Sequence, residues 1–257
     1  MLASAAELAL PVAAAFGAGV VDAIGGGGGL ITVPTLLALG LPPHAALATN
    51  KGQAGFGAVS SLATYLRQGG VDRERLLPSL ISGFLGSLCG VLMVLLVPPG
   101  PLKPIVLALL GLAAFVMLFR ERLARPCARA APSRALLASI GFGVGAYDGF
   151  FGPGTGTLLI AAYVHFIGDS PTRASGNAKV VNFASNWAAL LVFQSRGAVL
   201  WGIALPMGLA NVVGAAIGAR LALQHGDRVV KKVVLGVLVA LGLKVLFDWL
   251  GPGTPSS

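Results

Sequence analysis

The segment GAGVVDAIGGGG, Gly17 to Gly28, returns 126 residues later as GVGAYDGFFGPG, Gly143 to Gly154. Asp22 falls on Asp148, Gly26 on Gly152 and Gly28 on Gly154. Farther along, ATNKGQ lies opposite SGNAKV, with Asn50 on Asn177 at an offset of 127. Pro78, Gly86 and Gly90 fall on Pro206, Gly214 and Gly218 at an offset of 128. Loops absorb each one-residue step. The chain is duplicated, and each copy sets a carboxylate beside a glycine run in an apolar stretch, which confines it to few architectures.

Composition names the solvent. Of 257 residues, 56% are hydrophobic and 11% charged, whereas a soluble domain carries about a quarter charged residues. Mean hydropathy is +0.85. Long apolar stretches between arginine clusters read as an all-α polytopic membrane protein whose surroundings are a lipid bilayer. The net charge of +9 sits mostly in short loops, as topology signals do. No basic stripe with interleaved aromatics appears, so no nucleic-acid partner is expected. Cys89 and Cys127 lack CxxC spacing and read as packing thiols. The N-terminal segment lacks the positive n-region of a signal peptide and belongs to the repeat, so it reads as part of the fold.

Each half reads as a Gly-broken helical hairpin followed by three transmembrane helices. The first half covers 6–24 with 28–40, then 44–66, 76–97 and 102–120; the second covers 134–150 with 155–168, then 171–194, 198–222 and 229–250. Pro42, Pro43 and Pro171 suit helix starts, and Ser170 suits an N-cap. The divisions are a first repeat at 1–121, a basic cytoplasmic linker at 122–133, a second repeat at 134–250 and a tail at 251–257.

If each hairpin enters and returns on one side, Arg67, Arg73, Arg75, the five arginines from Arg120 to Arg134, Arg173, Arg220, Arg228, Lys231 and Lys232 share one face. Only Lys103 and Arg196 occupy loops on the other. The positive-inside rule makes the basic face cytoplasmic and puts both termini outside. Three crossings per half is odd, so the repeats are expected to be inverted.

Irregular backbone survives in hydrocarbon only where protein or a watery cavity satisfies it. The helix after each break offers free N–H groups and a partial positive pole. Pseudosymmetry would bring both poles near the midplane as an anion cradle of Gly26, Gly27, Gly28 and Gly29 with Gly152, Gly154, Thr155 and Gly156. Asp22 and Asp148 precede the breaks, where a carboxylate costs roughly 2.5–3.5 kcal/mol on insertion scales. They read as caps of the broken turns, as proton carriers, or as groups that orient Lys and Asn partners. Lys51 and Lys179 either snorkel to the interface or point inward to balance the aspartates. Asn50, Gln53, Asn177 and Asn182 can donate amide hydrogens to a small anion. Gly86/Gly90 and Gly214/Gly218 fit helix packing instead. The three histidines and three tryptophans read as interfacial or packing residues. No HExxH, GxSxG or P-loop motif appears, and no metal or cofactor is called for.

On the duplicated G-x-G-x-x-D start, the Gly-rich break, ALATNK and SGNAKVVNFASN, the chain resembles the sulfite exporter TauE/SafE family over nearly its whole length. The resemblance implies a bacterial inner-membrane secondary transporter, not an enzyme, that exports sulfite, sulfoacetate or related organosulfur anions. A passive channel or an intramembrane enzyme is the alternative, and a homo-oligomer is left open. The halves are not identical: GGGGG stands opposite GPGTG, and Lys51 follows Asn50 directly whereas Lys179 lies two past Asn177.

Overall fold

The computed structural model describes residues 5–123 and 133–225. Those residues are helical throughout, apart from the joins. Helices α1 (Ala5–Gly25) and α2 (Gly29–Ala38) flank the first break, and α3 (Pro43–Arg67), α4 (Arg73–Leu95) and α5 (Pro99–Leu123) follow. Helices α6 (Arg134–Phe150) and α7 (Thr155–Ala162) flank the second break. A π-helical turn, Tyr163–Ile167, extends α7, and α8 (Pro171–Ser195) and α9 (Trp201–His225) follow. The expected span at 229–250 and most of the linker lie outside the described residues.

Local chemistry sets the helix starts. Pro43 and Pro171 occupy first-turn positions, where a missing N–H costs nothing. Ser170 accepts from Arg173 N, Ser133 from Leu136 N and Asp72 from Glu74 N. The breaks need glycine: Gly26, Gly27, Gly152 and Gly154 have φ of 75°, 98°, 98° and 87°. A side chain is strained in that region. The chain then doubles back. Leu36 on α2 shares a buried cluster with Ala15 on α1, and Ile167 shares one with Leu137 on α6. Both broken segments are hairpins.

Each hairpin rests on the other half's long helix. A Cβ at Gly90 on α4 would stand 1.9 Å from the Ala146 carbonyl oxygen on α6, and one at Gly86 would stand 2.1 Å from that of Phe142. A Cβ at Gly214 on α9 would lie 2.1 Å from the Phe16 oxygen on α1, and one at Gly218 would lie 2.3 Å from that of Val20. These glycines bring backbones together without hydrogen bonds, a membrane packing device. Helices α3 and α8 run between the two crossed pairs and touch each other.

The face opposite each glycine row is oily. Leu77, Ile81 and Leu85 on α4 are exposed, as are Leu205, Leu209 and Val213 on α9. Lys51, Lys179, Asp148 and a set of asparagines are buried instead. Polar groups inside and apolar groups outside is the arrangement that lipid selects. Helices α1, α4 and α9 are long and apolar enough to cross a bilayer. Helices α3 and α8 have 25 residues each, and buried polar side chains lower their hydropathy.

Candidate functional site

The two hairpin tips touch. A Cβ at Gly26 would stand 2.2 Å from the Thr157 nitrogen, and one at Gly156 would stand 2.6 Å from the Gly26 Cα. Only hydrogen fits there on either side, so bulkier residues would drive the tips apart.

Crossed ion pairs brace the contact. Lys51 Nζ on α3 lies 2.9 Å from Asp148 Oδ1 on α6, with side-chain exposures of 2% and 3%. Lys179 Nζ on α8 lies 2.8 Å from Asp22 Oδ2 on α1, with exposures of 0% and 28%. Each lysine reaches the aspartate of the other half. Of the two readings left open for these lysines, the inward one describes the structure: neither side chain can be at an aqueous interface. The two cations and two carboxylates sum to no net charge, which limits the penalty of burying them.

The broken end of α1 shows where its carbonyls go. A helix leaves its last four C=O groups without intrahelical donors. Here the Asp22 oxygen, which keeps its backbone donor Gly26 N at 3.0 Å, also accepts from Lys179 Nζ, while the Ala23 oxygen accepts from Tyr65 OH at 2.9 Å, the Ile24 oxygen from Ser175 Oγ at 2.9 Å and the Gly25 oxygen from Thr157 Oγ1 at 3.1 Å. Three other helices thus satisfy a helix end inside the protein. A cation at this negative pole is favoured as well. Around Asp148, Oδ1 also accepts from Thr155 Oγ1 at 2.8 Å and Oδ2 accepts from Ser185 Oγ.

Beside the tips lies a polar cavity lined by Asp22, Gly28, Gly29, Asn50, Lys51, Gln53, Asp148, Gly152, Asn182, Asn186 and Asn211, with Ala18, Ala54 and Ala58. Its volume is ≈ 30 Å³, enough for about two waters. Carboxamides run along it in a chain. Asn211 Nδ2 donates to Gln53 Oε1 at 2.6 Å, and Gln53 Nε2 donates to Asn50 Oδ1 at 2.9 Å. Thr32 Oγ1 donates to the same Asn50 oxygen at 2.6 Å. Across the cavity, Asn186 Nδ2 donates to Asn182 Oδ1 at 2.9 Å.

Not every expected site residue lies here. Gly26 and Gly156 form the tip contact, Gly154 faces Ala113, and Thr155 holds Asp148. The bare-amide picture also changes: Gly28 N turns to Asp22 Oδ1 at 3.4 Å, and Leu30 N turns to the Gly27 oxygen at 2.9 Å. Asn177 sits elsewhere, accepting from Asp72 N at 2.9 Å and donating to Asp169 Oδ2 at 3.0 Å. The pairing of Asn50 with Asn177 is therefore corrected by one residue. Thr49 is the counterpart of Asn177, because Thr49 Oγ1 accepts from Leu200 N at the matching loop. Asn186 and Asn211 were missed. Asn211 has no sequence signal but a carboxamide within an apolar span, and Asn186, though it ends the segment SGNAKVVNFASN, is explained equally well by helix–helix hydrogen bonding.

Fold and site together define an all-helical protein built for a membrane, with charged pairs and a carboxamide-lined cavity at its centre. The family model described as sulfite exporter TauE/SafE matches residues 11–245, and the chain belongs to that family. It is 37% identical to a "Probable membrane transporter protein ORF9" of Sinorhizobium sp, over 95% of this chain and 97% of the relative. It is 35% identical to a "Probable membrane transporter protein" of Haemophilus influenzae, over 94% and 95%. It is 34% identical to the "Probable membrane transporter protein YfcA" of Escherichia coli K12, over 91% and 90%. No solved structure gives a significant match.

Proposed function

We propose that the protein is a secondary transporter exporting small sulfur-containing anions, such as sulfite, sulfoacetate or related organosulfonates, across the bacterial cytoplasmic membrane. The observation that carries the proposal is the polar cavity beside the touching hairpin tips, with the Lys51 ammonium on its wall. Family membership and the relatives' names support transport, and the family's description supports sulfite as a substrate. The crossed packing of hairpins on α4 and α9 supports inverted halves that rock about this centre. The basic loops are assigned to the cytoplasm, and both termini to the far side.

Charge balance bears on coupling. The three buried ionic groups and the partly exposed Asp22 already cancel, so an entering anion leaves the core one charge too negative. A proton on Asp22 or Asp148 would restore neutrality, which makes proton coupling the economical cycle.

Flux of radiolabelled sulfite, sulfoacetate, taurine, sulfate and thiosulfate in proteoliposomes, with and without a proton gradient, tests the proposal. Saturable flux of sulfite or an organosulfonate, accelerated by the gradient in wild type and gradient-independent in Asp148→Asn, is the expected result. Flux of none of the panel would refute transport of this class, and unsaturable flux would replace the transporter with a channel.

A further inference from the structure

The two lysines occupy corresponding places in the repeat, but their surroundings differ. Lys179 Nζ spends its hydrogens on two oxygens of one residue, the carboxylate and the carbonyl of Asp22, and it does not line the cavity. Its position is that of a cap on the broken end of α1, beside Tyr65, Ser175 and Thr157 on the next three carbonyls. Lys51 does line the cavity. Among the described residues its one hydrogen-bonding partner is Asp148, with the Asp22 charge also close enough to act on it, and an ammonium has three donors. Gly152 keeps the space beside it open, since a Cβ there would stand 3.1 Å from Lys51 Nζ.

The carboxamides extend this asymmetry. Asn50 Oδ1 is occupied by Thr32 and Gln53, and Asn182 Oδ1 is occupied by Asn186. Reversing Asn182 would set its donors against those of Asn186, which is anchored on the Asn182 carbonyl, so that orientation is fixed, while Asn50 is oriented as its bonds from Thr32 and Gln53 place it. The Nδ2 groups of Asn50 and Asn182 then have no protein acceptor among the described residues, and both side chains line the cavity. Lys51, Asn50 and Asn182 present donors whose matching ligand is an acceptor-only group, the deprotonated oxygens of a small oxyanion.

Resting on the transport reading above, we infer that the duplicated lysines have divided their roles. Lys51, with Asn50 and Asn182, binds the oxyanion, whereas Lys179 holds the hairpin tip as a positioning residue.

The division is testable by returning the charge chemically. In a background of Cys89→Ala and Cys127→Ser, Lys51→Cys is expected to lose sulfite uptake into proteoliposomes at least tenfold. 2-Bromoethylamine, which alkylates that thiolate with loss of bromide to give a lysine-like aminoethyl thioether that sulfite does not cleave, should restore uptake, and sulfoacetate should slow the modification. Lys179→Cys should resist the reagent. Asn182→Ala provides a variant that keeps the fold, because Asn186 Nδ2 still donates to the Asn182 carbonyl oxygen at 2.7 Å. It should raise the sulfite KM at least tenfold with little change in melting temperature. Modification and rescue of Lys179→Cys equal to that of Lys51→Cys, or an unchanged KM in Asn182→Ala, would overturn the division while leaving transport intact. A wild-type background that moves no sulfite would instead refute the functional reading beneath it.

Discussion

Replacing Lys51 with methionine keeps most of the side chain's length and removes its charge. Asp148 would remain 3% exposed, with Ser185 and Thr155 as its hydrogen-bonding partners but no cation. Breaking one side of a buried pair costs about 3–5 kcal/mol, whereas removing both charges together is often close to neutral. For a chain of this size 1 kcal/mol shifts the melting temperature by about 2–4 °C. Lys51→Met is therefore expected to lower it by roughly 6–20 °C. The double variant Lys51→Met with Asp148→Asn should recover most of that loss, because asparagine keeps one acceptor oxygen and the other hydroxyl can turn to the backbone oxygen it already approaches, Gly152 for Thr155 or Asn182 for Ser185. Tryptophan-fluorescence melts of protein in nanodiscs measure all four corners of the cycle. If the double variant loses as much as the two single variants summed, the pair carries no coupling energy, and the electrostatic account of the core is wrong.

Glycine packing makes a sharper steric claim. Gly90→Ala puts a methyl 1.9 Å from the Ala146 oxygen and should cost about 1–3 kcal/mol as overpacking, while Gly111→Ala, with nothing within 4 Å, should be neutral or slightly stabilising; paired melts distinguish them. Arg75 joins the α3–α4 junction to the loop before α8 through two 3.0 Å bonds to Asp169, so Arg75→Gln should cost about 1.5–3 kcal/mol by the same assay. Tyr65→Phe removes the donor to the Ala23 oxygen from a fully buried ring; it should cost about 0.5–1.5 kcal/mol and speed amide exchange at the end of α1, measured by mass spectrometry.

The duplicated pattern made much of this architecture legible. Glycine runs beside aspartates in apolar stretches mark broken helices because few other residues tolerate such backbone, and the hairpins lie where that pattern puts them. Gly86/Gly90 and Gly214/Gly218 read as packing residues from spacing alone, and they pack. The lysines were harder. A lysine a few residues into a helix either snorkels or pairs, and the choice depends on an aspartate more than ninety residues away. Asn177 was misaligned because Asn matches Asn by identity, while the loop amide it receives is matched by Thr49, a hydroxyl. Hydrogen-bonding roles, not residue names, are what the duplication preserves there. The asymmetry between Lys51 and Lys179 depends on which atoms surround each ammonium, and no spacing encodes that.

The central claim is that a small oxyanion is held where the two hairpin tips meet. Selenite is sulfite's heavier analogue, and its selenium can be located by anomalous diffraction from crystals of a Cys89→Ala, Cys127→Ser variant. The account predicts one strong peak in the cavity, within hydrogen-bonding reach of Lys51, Asn50 and Asn182. A peak elsewhere on the protein with this cavity empty of selenium would contradict it.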